Sequence, residues 1–246
     1  MSADSFHSQP PDAARFDATR WSIVIAGGAA DSQRAHRALD HLCTAYWYPL
    51  YAFVRRQGYP PHDAQDLTQE FFARLLARNF LGDADPAKGR FRSFLLGALK
   101  HFLSDEWDRT HAQRRGGGQQ PILLDAESAE TRYQLEPADE SSAKKIYERR
   151  WALVLLDRVL ARLRDEFTRE GKGHVFDELK TALTGGKVPC AQIAGRLDVK
   201  EGAVRTAVHR LRQRYRDIVR AEIAETVASP AEVSAEMQHL FAALSA

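Results

Sequence analysis

Residues 191–212 read Ala191-Gln-Ile-Ala-Gly-Arg-Leu-Asp-Val-Lys-Glu-Gly-Ala-Val-Arg-Thr-Ala-Val-His-Arg-Leu-Arg212, and this stretch decides the fold. Ala191–Leu197 predicts a short helix with Ile193, Ala194 and Leu197 inward. Asp198-Val199 supplies a turn. Glycine is frequent at such a turn, but aspartate tolerates left-handed backbone better than most residues. Glu201–Val219 predicts a longer helix, because Val204, Val208, Leu211 and Tyr215 recur at i, i+4, i+7 and i+11. The neighbouring stripe is Arg205, His209, Arg212 and Arg216, with Thr206, Arg210 and Arg214 beside it. Positions 200–220 hold seven bases against two acids. The short helix, tight turn and arginine-dense helix together predict a helix-turn-helix. Such a face suits the DNA major groove, where cations neutralise phosphates and donors meet guanine edges. A merely solvated basic face is the plain alternative. Lys200, at the N-cap position, cannot cap the second helix.

Working outward, Lys144–Thr168 predicts a long amphipathic helix with Ile146, Trp151, Val154, Leu155, Val159, Leu163 and Phe167 in its stripe. Gly171 and Gly173 break it. Val175–Leu183 is a short helix ending at Gly185-Gly186. Beyond the helix-turn-helix, Ser229 caps a helix that starts at Pro230. Its stripe of Val233, Met237, Leu240, Phe241 and Leu244 must bury against something, since a lone helix of this length is marginal in water. Packing on its own domain is the plain reading. A latch between domains, or a partner-binding helix, is the sharper one.

Upstream, segment 119–143 carries six acids and one base, Arg132, with Pro121 and Pro137, and reads as a linker. Before it, segment 16–118 is helical and aromatic. Asp40–Arg56 predicts one helix, stopped by Pro60-Pro61. Ala64–Leu76 is a second, with Leu67, Phe71, Phe72, Leu75 and Leu76 inward. Arg90–Asp108 is a third, or two. Phe16–Val24 adds an extension that packs on this block. Residues 1–15 read as a disordered tail, 16–118 and 144–225 as two helical domains, and 226–246 as a C-terminal helical extension. The fold class is all-α: no strand alternation and no fixed-period repeat is visible.

Charge distribution assigns the first block two faces. Positions 88–115 hold seven bases against three acids, interleaved with Phe91, Phe94, Phe102 and Trp107. Cations that follow phosphates, next to rings on which bases stack, suit single-stranded or melting DNA. Phe91 and Phe94 are assigned to the hydrophobic core. Phe102 and Trp107 are divided between the core and base stacking. Asp63, Asp66, Gln69 and Glu70 instead line one helix face with acceptors, which suits a basic protein surface.

Composition narrows the classes further. The chain has 246 residues, 35 Lys and Arg against 33 Asp and Glu, and two cysteines. No stretch approaches the ~20 apolar residues that span a bilayer, and no apolar signal region opens the chain. Cys43 and Cys190 belong to no C-x-x-C pair, which excludes a zinc finger and a disulfide scaffold and fits a cytoplasmic location. Gly116–Gly118 is followed by no G-K-[S/T]. No Ser/His/Asp set or Cys/His pair supports an enzyme, and no cofactor is expected.

These residues have a familiar order. Asp63-Ala-Gln-Asp66-Leu-Thr-Gln69-Glu-Phe-Phe72 resembles the D-A-E-D-L-x-Q-E-x-F signature of extracytoplasmic-function (ECF) sigma factors of bacterial RNA polymerase. Tyr46-Trp-Tyr-Pro-Leu-Tyr-Ala-Phe-Val-Arg-Arg56 resembles the first helix of that family, and Phe91 through Asp105 its promoter-melting helices. Gln192–Arg212 resembles E-I-A-x-x-L-G-x-S-E-G-T-V-K-S-R-L-H-R-A-R. The likeness covers about two-thirds of the chain, with both domains in order.

The resemblance implies a region 2-like domain at 16–118 and a region 4-like helix-turn-helix domain at 144–225, joined by the acidic linker. It implies that Asp63, Asp66, Gln69 and Glu70 bind the β′ clamp helices of core polymerase. Lys100, His101, Phe102, Trp107, Arg109, Arg114 and Arg115 would engage the minus-ten element. Arg205, Thr206, His209, Arg210, Arg212 and Arg216 would read the minus-thirty-five element, next to the β flap. The linker would thread a basic channel of the polymerase. Three positions depart from the pattern. His101 stands where Asn is usual, and Ala207 replaces a base of the reading helix, so promoter preference is open. Gln65 replaces a Glu of the docking face. Thr68, one turn on, would restore that charge if phosphorylated, since a phosphate adds ~1.5–2 negative charges. A Ser/Thr kinase acting at Thr68, or separately an anti-sigma factor, is a candidate regulator, the plain alternative being that Thr68 is a helix threonine of no special importance. Two other classes compete: a dimeric helix-turn-helix repressor or activator that binds duplex DNA unaided, and a metal-dependent hydrolase built on His62-Asp63.

Overall fold

The computed structural model describes residues 32–77, 90–112, 126–134, 142–185 and 188–245. The tail 1–15, the Phe16–Val24 extension, Arg114, Arg115 and Gly116–Gly118 lie outside them. The described residues are helical, with turns between and no strand. No helix among the described residues is long and apolar enough to cross a membrane.

Among the described residues, the first block contributes three helices. α1 runs from Ser32 to Arg56, starting eight residues before the predicted Asp40. It carries Pro49 in its interior, where the ring removes one backbone donor and crowds the preceding turn. Burial offsets that cost: Tyr46, Leu50, Tyr51, Ala52, Phe53 and Val54 are all fully or nearly fully enclosed. Gly58 then turns the chain with φ +96, a conformation that glycine adopts without strain. α2 spans Pro61–Ala77 with proline at its first position. α3 spans Phe91–Ala112, four residues longer than the predicted end at Asp108.

A further helix, α4 (Ala126–Gln134), lies within the segment read from composition as a linker. It docks on α1 through one acid. Arg55 donates to Glu130 through Nε at 2.9 Å and Nη2 at 3.0 Å, and the Tyr51 hydroxyl donates to the same carboxylate. The Arg55 guanidinium also lies 4.7 Å over the Tyr133 ring. Burial tends to raise the Glu130 carboxyl, but these hydrogen bonds outweigh it and hold it below the ordinary carboxylate range.

The second block is built on α5 (Ala143–Arg169), whose first turn is capped by Ser142 accepting from the Lys145 amide. α6 (Gly173–Leu179) runs into a 3₁₀ turn at Lys180–Thr184. α7 (Cys190–Leu197) and α8 (Glu201–Ala224) are the predicted helix pair, α8 being five residues longer than expected. A capping box, in which Ser229 and Glu232 satisfy each other's backbone amides, opens the last segment. α9 (Val233–Ser245) follows.

Helix α5 is the spine. It packs along α1 on one side and against α6, α8 and α9 on others. The buried apolar residues of α1–α3 and of α5–α9 therefore form one continuous cluster, from Cys43 through Trp151 to Ala243. The Trp151 indole N–H donates to the Tyr46 hydroxyl at 2.9 Å, and the Tyr147 hydroxyl donates to the Arg92 carbonyl at 2.8 Å.

Candidate nucleic-acid interface

The helix-turn-helix is formed by α7, the turn at Asp198-Val199, and α8. Asp198 takes the left-handed conformation at φ 50, and its amide donates to the Ala194 carbonyl, closing α7. Ile193 and Ala194 face inward to meet Val204, Val208 and Leu211 of α8. The predicted apolar stripe is thus the packed face of α8, although Tyr215 is half-buried rather than enclosed.

The stripe beside it points outward. Arg205, Thr206, His209, Arg210, Arg212 and Arg216 are all exposed. Several are held by neighbours on or near α8. Arg205 donates to Glu201 at 2.7 Å, Arg216 to Gln213 at 2.7 Å, and the Thr206 hydroxyl to the Gly202 carbonyl at 3.0 Å. Arg212 donates through Nε to the Ala182 carbonyl at 3.0 Å, which ties α8 to the 3₁₀ turn. Contacts of this exposed kind are weak, and a phosphate competes with them readily. Arg214 differs. It grips Glu166 of α5 through Nε and Nη2, both at 2.8 Å, and its hydrogen bonds hold the Glu166 carboxyl below its usual range. Arg214 is a brace between helices, whereas its neighbours face solvent.

On α3 the aromatic residues separate. Phe102 is buried, tilted against Phe71 at 5.8 Å and covered by the Arg74 guanidinium at 4.9 Å. Its ring is hydrophobic core in this fold and is not offered to a base. Phe91 is completely enclosed, and Phe94 packs on it. Trp107 is 56% exposed. Lys100 and His101 are exposed, with the Lys100 ammonium 5.9 Å from the Phe53 ring centre. Arg109 is exposed and donates to Glu106 at 2.8 Å. The outward set on α3 is therefore Lys100, His101, Trp107 and Arg109.

On α2, Asp63 and Asp66 are exposed, and both carboxylates lie near His62 Nδ1, at 3.9 and 3.1 Å. Gln65 and Gln69 are half-buried, and Glu70 pairs with Arg74, whose other nitrogen reaches Glu106 at 2.7 Å. The two aspartates form the acidic end of the face, while Glu70 is partly neutralised. Thr68 is fully buried, and its hydroxyl donates to the Ala64 carbonyl at 2.6 Å. A kinase does not reach that hydroxyl in this conformation. Among the described residues, no group of three or more His, Cys, Asp or Glu is placed to hold a metal ion.

The sequence reasoning missed a buried ionic junction at the start of α3. Glu236 of α9 is wholly enclosed. It accepts from Arg92 Nε at 2.5 Å and Nη2 at 3.2 Å, and Arg90 Nε lies 2.9 Å away. Arg92 also reaches Glu148 of α5 at 3.4 Å and lies 5.2 Å over the Trp151 ring. A Glu within a mostly apolar helical stripe was the one available signal. No protein-family model matches this chain, and neither a curated protein nor a solved structure matches it.

Proposed function

We propose that the chain is an alternative sigma factor of the ECF kind, a DNA-binding subunit without catalysis of its own. In this reading it has two helical domains, 16–118 and 144–225, joined by the acidic segment 119–143. Asp63 and Asp66 dock on a basic surface of core RNA polymerase. Lys100, His101, Trp107 and Arg109 meet the melted minus-ten element, and the exposed face of α8 reads the minus-thirty-five element.

The observation that carries the reading is the α7–turn–α8 unit, with Asp198 in the left-handed turn and the row Arg205, His209, Arg212 and Arg216 facing outward. The exposed acidic pair on α2, followed in the chain by an exposed Trp on the helix that also exposes Lys100, His101 and Arg109, supports a polymerase subunit over a repressor. A repressor has no use for an acidic docking face. The test is binding to purified core polymerase, followed by run-off transcription from a library of promoter fragments. The expected result is initiation that requires both polymerase and this chain. Tight duplex binding by the chain alone, with no polymerase binding, would establish the repressor reading instead.

A further inference from the structure

We infer that α9 is an intramolecular clasp that holds the chain in a closed form unable to engage both promoter elements at once. The inference rests on the sigma-factor reading. It concerns how this chain restrains itself, through the Glu236 carboxylate set between Arg90 and Arg92.

The geometry at the clasp is specific. The first turn of α3 is held from four sides. Phe91 donates its backbone N–H to the Thr226 carbonyl, just past the end of α8, at 3.1 Å. Tyr46 of α1 meets the Phe91 ring edge-on at 5.0 Å. Tyr147 and Glu148 of α5 take the Arg92 carbonyl and guanidinium. Glu236 of α9 closes the fourth side. A buried carboxylate between two guanidiniums is stable when all three are present and costly when one is removed, because the remaining charges stay buried. The arginines are contributed by the first block and the acid by the C-terminal extension, so undocking α9 uncovers Arg92 and leaves Arg90, already 28% exposed, without its buried partner. α9 is 13 residues long, a length at which an isolated helix is marginal, so its docking and its folding are coupled.

Length explains why the closed form is restrained. The names of the two promoter elements imply about 25 base pairs between them, or about 85 Å of B-form duplex at ~3.4 Å per pair. α3 has 22 residues and α8 has 24, and both start or end at the Phe91–Thr226 contact. At 1.5 Å per residue they reach about 70 Å even if laid end to end. The clasped chain falls short of both elements, so the two blocks must separate, which parts α1 from α5 as well as Glu236 of α9 from Arg90 and Arg92. Asp63 and Asp66 stay exposed in the closed form, so the closed form limits promoter engagement and lowers the apparent affinity for a promoter carrying both elements by the fraction that is open.

The test uses the full chain. Glu236→Gln removes the charge and keeps the shape. Ser229→Ala loosens α9 at its capping box, away from the junction, which keeps the test valid if the first variant folds poorly. Amide hydrogen exchange at Phe91 and across 233–245 is measured with the affinity of the polymerase-bound chain for a promoter fragment carrying both elements. Both variants are expected to speed exchange at both places. Affinity should tighten about tenfold for Glu236→Gln and about fivefold for Ser229→Ala, the scale of a lost charged hydrogen bond and a lost cap. Unchanged exchange in Glu236→Gln, or faster exchange with unchanged affinity, overturns the clasp. If neither wild type nor variants bind polymerase, the sigma reading falls and the gating with it, while the exchange still reports whether Glu236 holds the junction.

Discussion

The indole N–H of Trp151 donates to the hydroxyl of Tyr46 at 2.9 Å, joining two residues 105 positions apart. Both are buried, so neither partner has water to fall back on. Burial pushes the Tyr46 hydroxyl far above its usual range, with the Glu236 charge adding to the effect. Tyr46→Phe leaves the indole unpaired and is expected to cost about 1–3 kcal/mol of stability. Urea unfolding followed by tryptophan fluorescence measures it. Tyr46→Phe with Trp151→Phe should cost less than the two single changes added, because the orphaned partner is gone. Additive costs would show that the hydrogen bond contributes nothing of its own.

Arg214 and its neighbours on α8 should respond differently to substitution. Arg205→Ala and Arg216→Ala are expected to weaken promoter binding and flatten its salt dependence, as lost phosphate or base contacts do. Arg214→Ala should leave promoter binding nearly unchanged and lower stability by about 0.5–1 kcal/mol, the scale of a partly exposed ion pair. The Glu166 carboxyl is held below its ordinary value by Arg214. Its contribution is therefore full above about pH 4.5 and is lost as pH falls through the lowered value. Thermal melts of wild type and Arg214→Ala between pH 3 and 6 should converge at the acid end. Promoter binding that falls as far in Arg214→Ala as in Arg216→Ala would show that the brace is also a DNA contact.

Gln65 and Thr68 separate charge from burial on α2. Gln65 is half-buried and Thr68 is enclosed with its hydroxyl on the Ala64 carbonyl. Gln65→Glu should leave stability within about 0.5 kcal/mol and strengthen polymerase binding. Thr68→Glu places an unpaired carboxylate in the hydrophobic core and is expected to cost about 3 kcal/mol or more. A melting temperature for Thr68→Glu equal to that of wild type would mean that α2 opens readily enough to present this position to a kinase.

The helix-turn-helix was legible because both of its signals are local. The period of Val204, Val208 and Leu211 fixes the packed face, and an aspartate at 198 tolerates the φ of 50 that the turn adopts. α4 was not legible. Its composition is acidic, prolines flank it, and it docks mainly by one carboxylate on Arg55 and Tyr51, which leaves no apolar period to read. The same limit hid the junction at Arg92. Its acid lies 144 positions away, and the one local signal, a glutamate inside the apolar stripe of α9, does not name its partner. Phe102 and Trp107 share one helix and one composition, yet packing against Phe71 and Arg74 encloses the first and leaves the second exposed. Such differences belong to tertiary contacts.

His239 gives the α9 docking a dependence on pH. Its ring stands 6.2 Å from Trp151, and Nε2 is 3.5 Å from Glu148 of α5. Arg90, just ahead of α3, and Arg92 in its first turn act on it from the first block, and Glu236 lies on its own helix. Desolvation lowers its pKa most, and the two arginines lower it further against the opposing pull of Glu148 and Glu236. The folded chain therefore favours the neutral ring, while the unfolded chain takes up a proton near pH 6.5. In the interval below that value the unfolded state binds more protons. The stability that His239 contributes is full above about pH 6.5 and declines as pH falls toward the lowered value. Exchange across 233–245 should quicken between pH 7.5 and 5.5, relative to the intrinsic rate at each pH. His239→Gln, which cannot charge, should remove most of that change. An equal quickening in His239→Gln would assign the dependence to another group at the junction.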